Sequence, residues 1–344
     1  MQPSVKPQPL AYIMRHHREL FVDPMFWTSR HLDLIGCRFQ SCKSTEYTQN
    51  NDMRQAQSND NALERFDIDH GPPRGPSWSP SNPERLAESS TPLMKLHALT
   101  HILEYEGSAF EERCHRGPKF YFASRAIHRP NYVVFGRREE ANSPLHHAFQ
   151  CLIGYFDYSS ASNGRKNKFQ ARCHPGGGDN APVGRLHDKR LAQITPANWE
   201  EDPYFLCILL SIAQLQERSL KTKGQTTHTS RLLVSKWPDH EFIYLYEAQF
   251  TSELLEAIEN PKTATAYVDW PTISRKKIPY NPYDTFRTRL VAELSLPENR
   301  HCHNASDIKD ATDVVKGTAK RQSGEEDVTR KVRRKVDMTC GNED

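Results

Sequence analysis

The sequence predicts an α+β fold: a single mixed domain with a buried central helix and a β-hairpin, flanked by disordered segments. Three observations lead there. Helix-period apolar stripes begin behind Ser, Thr or Asp followed by Pro, which suits a cap and a first helical turn. Two β-rich runs bracket a Trp-Pro-Asp-His turn, the pattern of a hairpin. Helices and strands then mix without the regular alternation that a parallel βαβ sheet requires.

Residues 1–39 form an N-terminal segment, of which Leu10 to Phe39 is apolar enough to pack on a core. Residues 40–92 read as a disordered linker. They include STEYTQNNDMRQAQSNDN and GPPRGPSWSPSNP, which bury too little surface to offset chain entropy. Residues 93–296 form the α+β core, and 297–344 a disordered tail of mixed charge.

Within the core, Thr91-Pro92 opens LMKLHALTHILEYE, where Leu96, Leu99 and Leu103 recur at helical spacing before Gly107. Lys119 to Ala123 and Tyr132 to Phe135 are short β-rich runs. Ser143-Pro144 opens LHHAFQCLIG, predicted as a helix with Leu145, Phe149, Leu152 and Ile153 on one face. Ser159 to Asp188 is polar, contains Gly176-Gly177-Gly178, and reads as a long surface loop rather than a phosphate loop. Asp202-Pro203 starts YFLCILLSIAQLQERSL, apolar on nearly all sides through Leu210 and therefore the central buried helix. Arg231 to Ser235 and Phe242 to Ala248 make the hairpin. Ser252 caps a short helix ended by Pro261, and Asp284 begins TFRTRLVAEL with Phe286, Leu290 and Leu294 four apart.

Composition narrows the function classes. The chain has 344 residues, 36% of them hydrophobic, and 23 prolines, so one folded domain with long unpacked stretches is expected. A net charge of +3 gives no global electrostatic case for nucleic-acid binding. The longest apolar run, Tyr204 to Leu210, is far shorter than the ~20 residues of a membrane span. No secretory leader is visible, which predicts reduced thiols, a cytosolic or nuclear setting, and an incidental sequon at Asn304.

The clearest functional element is the tail. Lys320 and Arg321 precede a polar and acidic spacer, then Arg330, Lys331, Arg333, Arg334 and Lys335. Two basic clusters on a flexible spacer are what the grooves of a nuclear import receptor bind; the alternative is a solvated charge run. The expected location is the nucleus and the expected partners are that receptor and a nuclear protein. Ser323, with Glu326 three residues on, is a candidate phosphosite whose phosphate would add charge to the spacer.

An enzymatic alternative rests on Pro238-Asp239 followed by Glu247-Ala248-Gln249. This pattern resembles the PD-(D/E)XK nuclease signature with Gln249 in place of lysine, and Glu217 supplies an acid on the preceding helix. There, Asp239 and Glu247 would hold Mg²⁺ and Gln249 would position water. Otherwise Pro-Asp is an ordinary turn dipeptide. Cys37 with Cys42, and His301-Cys302-His303, lack the second ligand pair of a zinc site, so no metal or cofactor is expected. Arg275-Lys276-Lys277 with Tyr280 and Tyr283 could track a nucleic-acid backbone, although three cations give few phosphate contacts and a solvated loop is the simpler account.

The stretches Trp199 to Gln216, Leu232 to Val234, Ile243 to Phe250, Lys277 to Tyr280 and Ala148 to Tyr155 together resemble an uncharacterised filamentous-fungal protein family over residues 115–295. With the basic tail, the chain is similar to the nuclear hypoxia-responsive morphology factors of the Aspergillus group, regulators from subtelomeric clusters. That resemblance implies a nuclear regulator of gene expression linked to colony and biofilm morphology and to virulence. It carries no catalytic residues over.

Overall fold

The computed structural model describes residues 8–18, 21–42, 80–138, 151–170, 176–178, 180–220 and 226–295. A mixed seven-stranded sheet with helices on both faces forms the core, so the fold is α+β.

In chain order come α1 (Leu10–His16), α2 (Ser29–Ile35) and β1 (Arg38–Ser41), then α3 (Asn82–Glu88) and α4 (Pro92–Leu103). β2 (Phe110–Cys114), β3 (Phe120–Phe122), β4 (Arg125–His128), β5 (Val133–Arg137) and β6 (Leu152–Asp157) follow. The chain continues through α5 (Ser159–Lys168), α6 (Ala181–Ile194), α7 (Tyr204–Leu220), β7 (Thr227–Ser235) and β8 (Phe242–Thr251). It closes with α8 (Ser252–Glu259), β9 (Thr272–Pro279) and α9 (Tyr283–Ser295).

The sheet order is β1-β9-β8-β7-β6-β5-β2, and β3 pairs with β4 separately. β7, β8 and β9 form an antiparallel meander, whereas β6 runs parallel to β7 and β1 parallel to β9. Alternation along the strands sends side chains to two cores. Leu232, Val234, Tyr244 and Tyr246 meet α7 on one face. Leu233, Ile243, Leu245 and Ile278 meet α3, α4 and α9 on the other. Gly154 lets α7 lie close to the sheet, because a Cβ there would come within 3.0 Å of Ile212 and Leu232 side-chain atoms.

The central helix, the hairpin and α9 lie where periodicity placed them, with Phe286, Leu290 and Leu294 buried. Three expectations are corrected. Leu152 and Ile153 belong to strand β6, not to a helix. All six β6 residues are buried, and an apolar run without a period does not distinguish a sheet-centre strand from a helix. Residues 143–150 lie outside the described residues.

Second, the expected loop from Ser159 to Asp188 contains α5 and α6. α5 has no apolar stripe and is anchored by buried Ala161 and Arg165; Asn180 caps α6 by accepting from the Val183 N–H. Third, the expected linker 40–92 contains α3. Ser81 and Glu84 form a capping box there, and Leu86 and Ala87 are fully buried. A smaller shift puts Thr251, not Ser252, at the cap of α8, its hydroxyl accepting from the Leu254 N–H at 3.2 Å.

Candidate functional site

The residues of the nuclease signature do not come together. Asp239 organises its own turn: Oδ1 accepts from the Glu241 and Phe242 N–H groups at 3.0 and 3.1 Å. Its Oδ2 accepts from the Tyr244 hydroxyl at 2.7 Å, and burial with that bond pushes the Tyr244 phenol pKa upward. Glu247 lies on β8, on the face opposite Tyr244, and five residues of strand from Phe242 to Glu247 rise about 17 Å. There it accepts from Arg231 Nε at 2.6 Å, both side chains being more than nine-tenths buried. Gln249 is exposed. Glu217 is taken by His228 and by the Ser252 hydroxyl at the start of α8. Each of these carboxylates is a structural partner of another group.

The basic run Arg275-Lys276-Lys277 is also corrected. It is not a loop but part of β9, and alternation splits it between faces. Arg275 meets Glu200 at 3.0 Å and Lys277 meets Glu200 at 2.8 Å, while Lys276 turns to Glu293 at 2.6 Å. Cations so committed are poor phosphate contacts. Tyr280 is fully buried and the Tyr283 hydroxyl donates to Glu88.

Among the described residues no group of three or more His, Cys, Asp or Glu is arranged to hold a metal ion. Cys37 is buried and its thiol donates to the Pro271 carbonyl; burial pushes its pKa up to about 12. Cys207 is a fully buried core thiol, its pKa raised by the same cause. Cys42 is disulfide-bonded, which corrects the expectation of reduced thiols at that position, whereas Cys37, Cys114, Cys151 and Cys207 are reduced thiols. His301 to His303, Ser323 and the basic cluster Lys320 to Lys335 lie outside the described residues.

What the fold does assemble is an apolar cavity of about 410 Å³. Leu10 and Ile13 of α1, Leu32 of α2, and Leu206 and Leu210 of α7 line it. Phe120 and Phe122 of β3 and the indoles of Trp27 and Trp270 complete much of the wall. Asp23 and His31 are the polar side chains lining it, and both are already bonded. Asp23 accepts from the Met25 N–H and sits 3.4 Å from His128 Nδ1; His31 Nδ1 accepts from the Thr28 N–H. His128 in turn contacts the Tyr204 hydroxyl at 2.8 Å, and burial pushes its pKa down against the opposing pull of Asp23. At the rim Phe21, Val22 and Ile127 are exposed.

Two polar clamps hold these walls. The Gln214 amide of α7 bonds both the N–H and the carbonyl of Tyr121, at 2.9 and 2.7 Å, which sets Phe120 and Phe122 against α7. The second clamp is Arg165. Its guanidinium grips both Asp202 oxygens at 2.6 and 2.7 Å, and its Nε donates to the Met25 carbonyl at 2.8 Å. Asp202 also accepts from the Tyr158 hydroxyl and from the Tyr204 N–H at the start of α7. The turn bearing Asp23 and Trp27 is thereby tied to α5 and α7.

Sequence reading missed this cavity. Leu10 and Ile13, three apart, signalled an apolar face, but nothing local tells that α1 and α7 will line one cavity. No family profile, no curated protein and no solved structure matches the chain.

Proposed function

We propose that this chain is a nuclear regulatory protein that works by binding rather than catalysis. Its core takes up an apolar small molecule, and its basic tail addresses it to the nucleus, where it alters gene expression through protein partners. The observation that carries the binding reading is the cavity. It has the volume of a small-molecule site, with apolar and aromatic walls and few polar groups, which is the usual make-up of such sites. The candidate carboxylates Asp239, Glu217 and Glu247 and the cations Arg275, Lys276 and Lys277 are each held by partners within the fold. The tail, with basic clusters at Lys320-Arg321 and Arg330 to Lys335, supports the nuclear address.

The binding reading is tested by titrating the full chain with Nile red, an uncharged dye whose emission shifts blue in apolar surroundings, and displacing it with a long-chain alcohol. Wild-type protein shifts the emission, and Leu210→Trp, which fills the space, weakens binding roughly tenfold or more. Circular dichroism verifies that the variant folds. An equal response from a folded Leu210→Trp protein removes the cavity as the site.

The address is tested separately by imaging. The intact chain concentrates in the nucleus, and Arg333→Ala, Arg334→Ala and Lys335→Ala together redistribute it. Exclusively cytoplasmic intact chain overturns the nuclear reading and leaves the cavity reading standing.

A further inference from the structure

α4 is amphipathic in an unusual way. Its inner face, with Ala98, Leu99, Ile102 and Leu103, is buried against α3, β2 and α9. Its outer face carries His97 and His101, both exposed. They stand four residues apart, so one sits over the other on successive turns. Their Nε2 atoms are 3.2 Å apart, with ring centroids at 4.4 Å and planes inclined by 78°.

That separation has a chemical meaning. Zinc–imidazole bonds are about 2.0–2.1 Å long, so one ion bonded to two nitrogens 3.2 Å apart would subtend roughly 100°. The angle falls between octahedral and tetrahedral values, and rotation of the exposed rings about their side-chain bonds would aim both lone pairs at the ion. The buried inner face fixes the helix, so the two imidazoles are brought together before any ion arrives. Neutral imidazole Nε2 is also the commonest protein ligand for late transition metals.

We infer that His97 and His101 form a bidentate surface site for a divalent late transition-metal ion such as Ni²⁺, Zn²⁺ or Cu²⁺. Water fills the remaining coordination positions. The protein's own ligands are both nitrogen, which selects against Mg²⁺ and Ca²⁺, since these prefer oxygen. The site is independent of the cavity and of the nuclear address. A proton shared between the two Nε2 atoms is the competing account of the same geometry, and the ligand test separates them.

Ni²⁺ alone is titrated calorimetrically into the full chain and into His97→Ala, His101→Ala and the double variant. Both residues are exposed on a helix whose packing lies on its other side, so the variants are expected to fold, as circular dichroism checks. Wild-type protein shows one more site than the double variant, and each single variant binds at that site roughly tenfold more weakly, because chelation is lost. His101→Gln keeps a hydrogen-bonding side chain but not the imidazole ligand, and it behaves like His101→Ala. Equal stoichiometry and affinity in wild-type and double-variant protein overturn the inference, as does Ni²⁺ binding by His101→Gln at wild-type strength.

Discussion

Asp202→Ala lowers the stability of the folded chain by about 3–5 kcal/mol, measured as a loss in free energy of denaturant unfolding. Asp202 is fully buried and Arg165 nearly so, and the carboxylate takes two parallel bonds from the guanidinium. Removing the carboxylate strands a buried cation, which is the expensive half of breaking such a pair. It also frees the Tyr158 hydroxyl and the Tyr204 N–H that Asp202 accepts from. Asp202→Asn keeps a cap for Tyr204 and loses less. Adding Arg165→Met to Asp202→Ala recovers part of the loss, and the cycle formed by the two positions reports their coupling. A loss below about 1 kcal/mol contradicts a buried, desolvated pair. Because Arg165 also holds the Met25 carbonyl, Asp202→Ala slackens the cavity wall around Trp27, and Nile red binding falls with it.

The parts of this fold that the sequence made legible are those whose signal is local. α7 announces itself by Tyr204 to Leu210 and by the Asp202-Pro203 cap, and α9 by the spacing of Phe286, Leu290 and Leu294. The β7–β8 hairpin follows from two β-rich runs and a turn. What escaped depends on partners distant in the chain. β6 is buried on both faces, so its residues carry no period. α5 is polar, and one buried arginine whose acid lies 37 residues away holds it in place. β1 finds β9 through Phe39 opposite Ile273, across most of the chain length. The cavity draws walls from α1, α2, β3 and α7, and no motif spans such a set.

The charged residues show the same dependence. Read in line, Arg275-Lys276-Lys277 is a basic run; folded, it is two surfaces with separate partners, Glu200 on the 3₁₀ turn before α7 and Glu293 on α9. Arg165–Asp202 ties α5 to the start of α7, Arg231–Glu247 ties β7 to β8, and Lys276–Glu293 ties β9 to α9. Buried pairs of this kind add little net stability over apolar replacements but penalise any arrangement that separates them. In this chain they cross-link helix to helix, strand to strand and strand to helix, while the apolar cores supply the bulk of the burial.

Glu247 allows the sharpest separation of the two roles assigned to it. A metal-binding carboxylate can be changed to the isosteric amide with little effect on folding. A carboxylate buried against Arg231 cannot, because the amide no longer balances the guanidinium charge. Glu247→Gln is therefore expected to destabilise the chain by about 2–4 kcal/mol and Glu247→Ala by about 3–5 kcal/mol. Arg231 Nη1 keeps its bond to the Leu294 carbonyl at 2.9 Å in both variants, so the guanidinium stays in place while losing the Glu247 carboxylate. Replacing the pair together, with Arg231→Met and Glu247→Leu, restores most of the stability because no charge is then left buried. Denaturant unfolding with and without Mg²⁺ decides the matter. Stability unchanged by Glu247→Gln, together with a Mg²⁺-dependent gain that only wild-type protein shows, would return Glu247 to the role of a metal ligand.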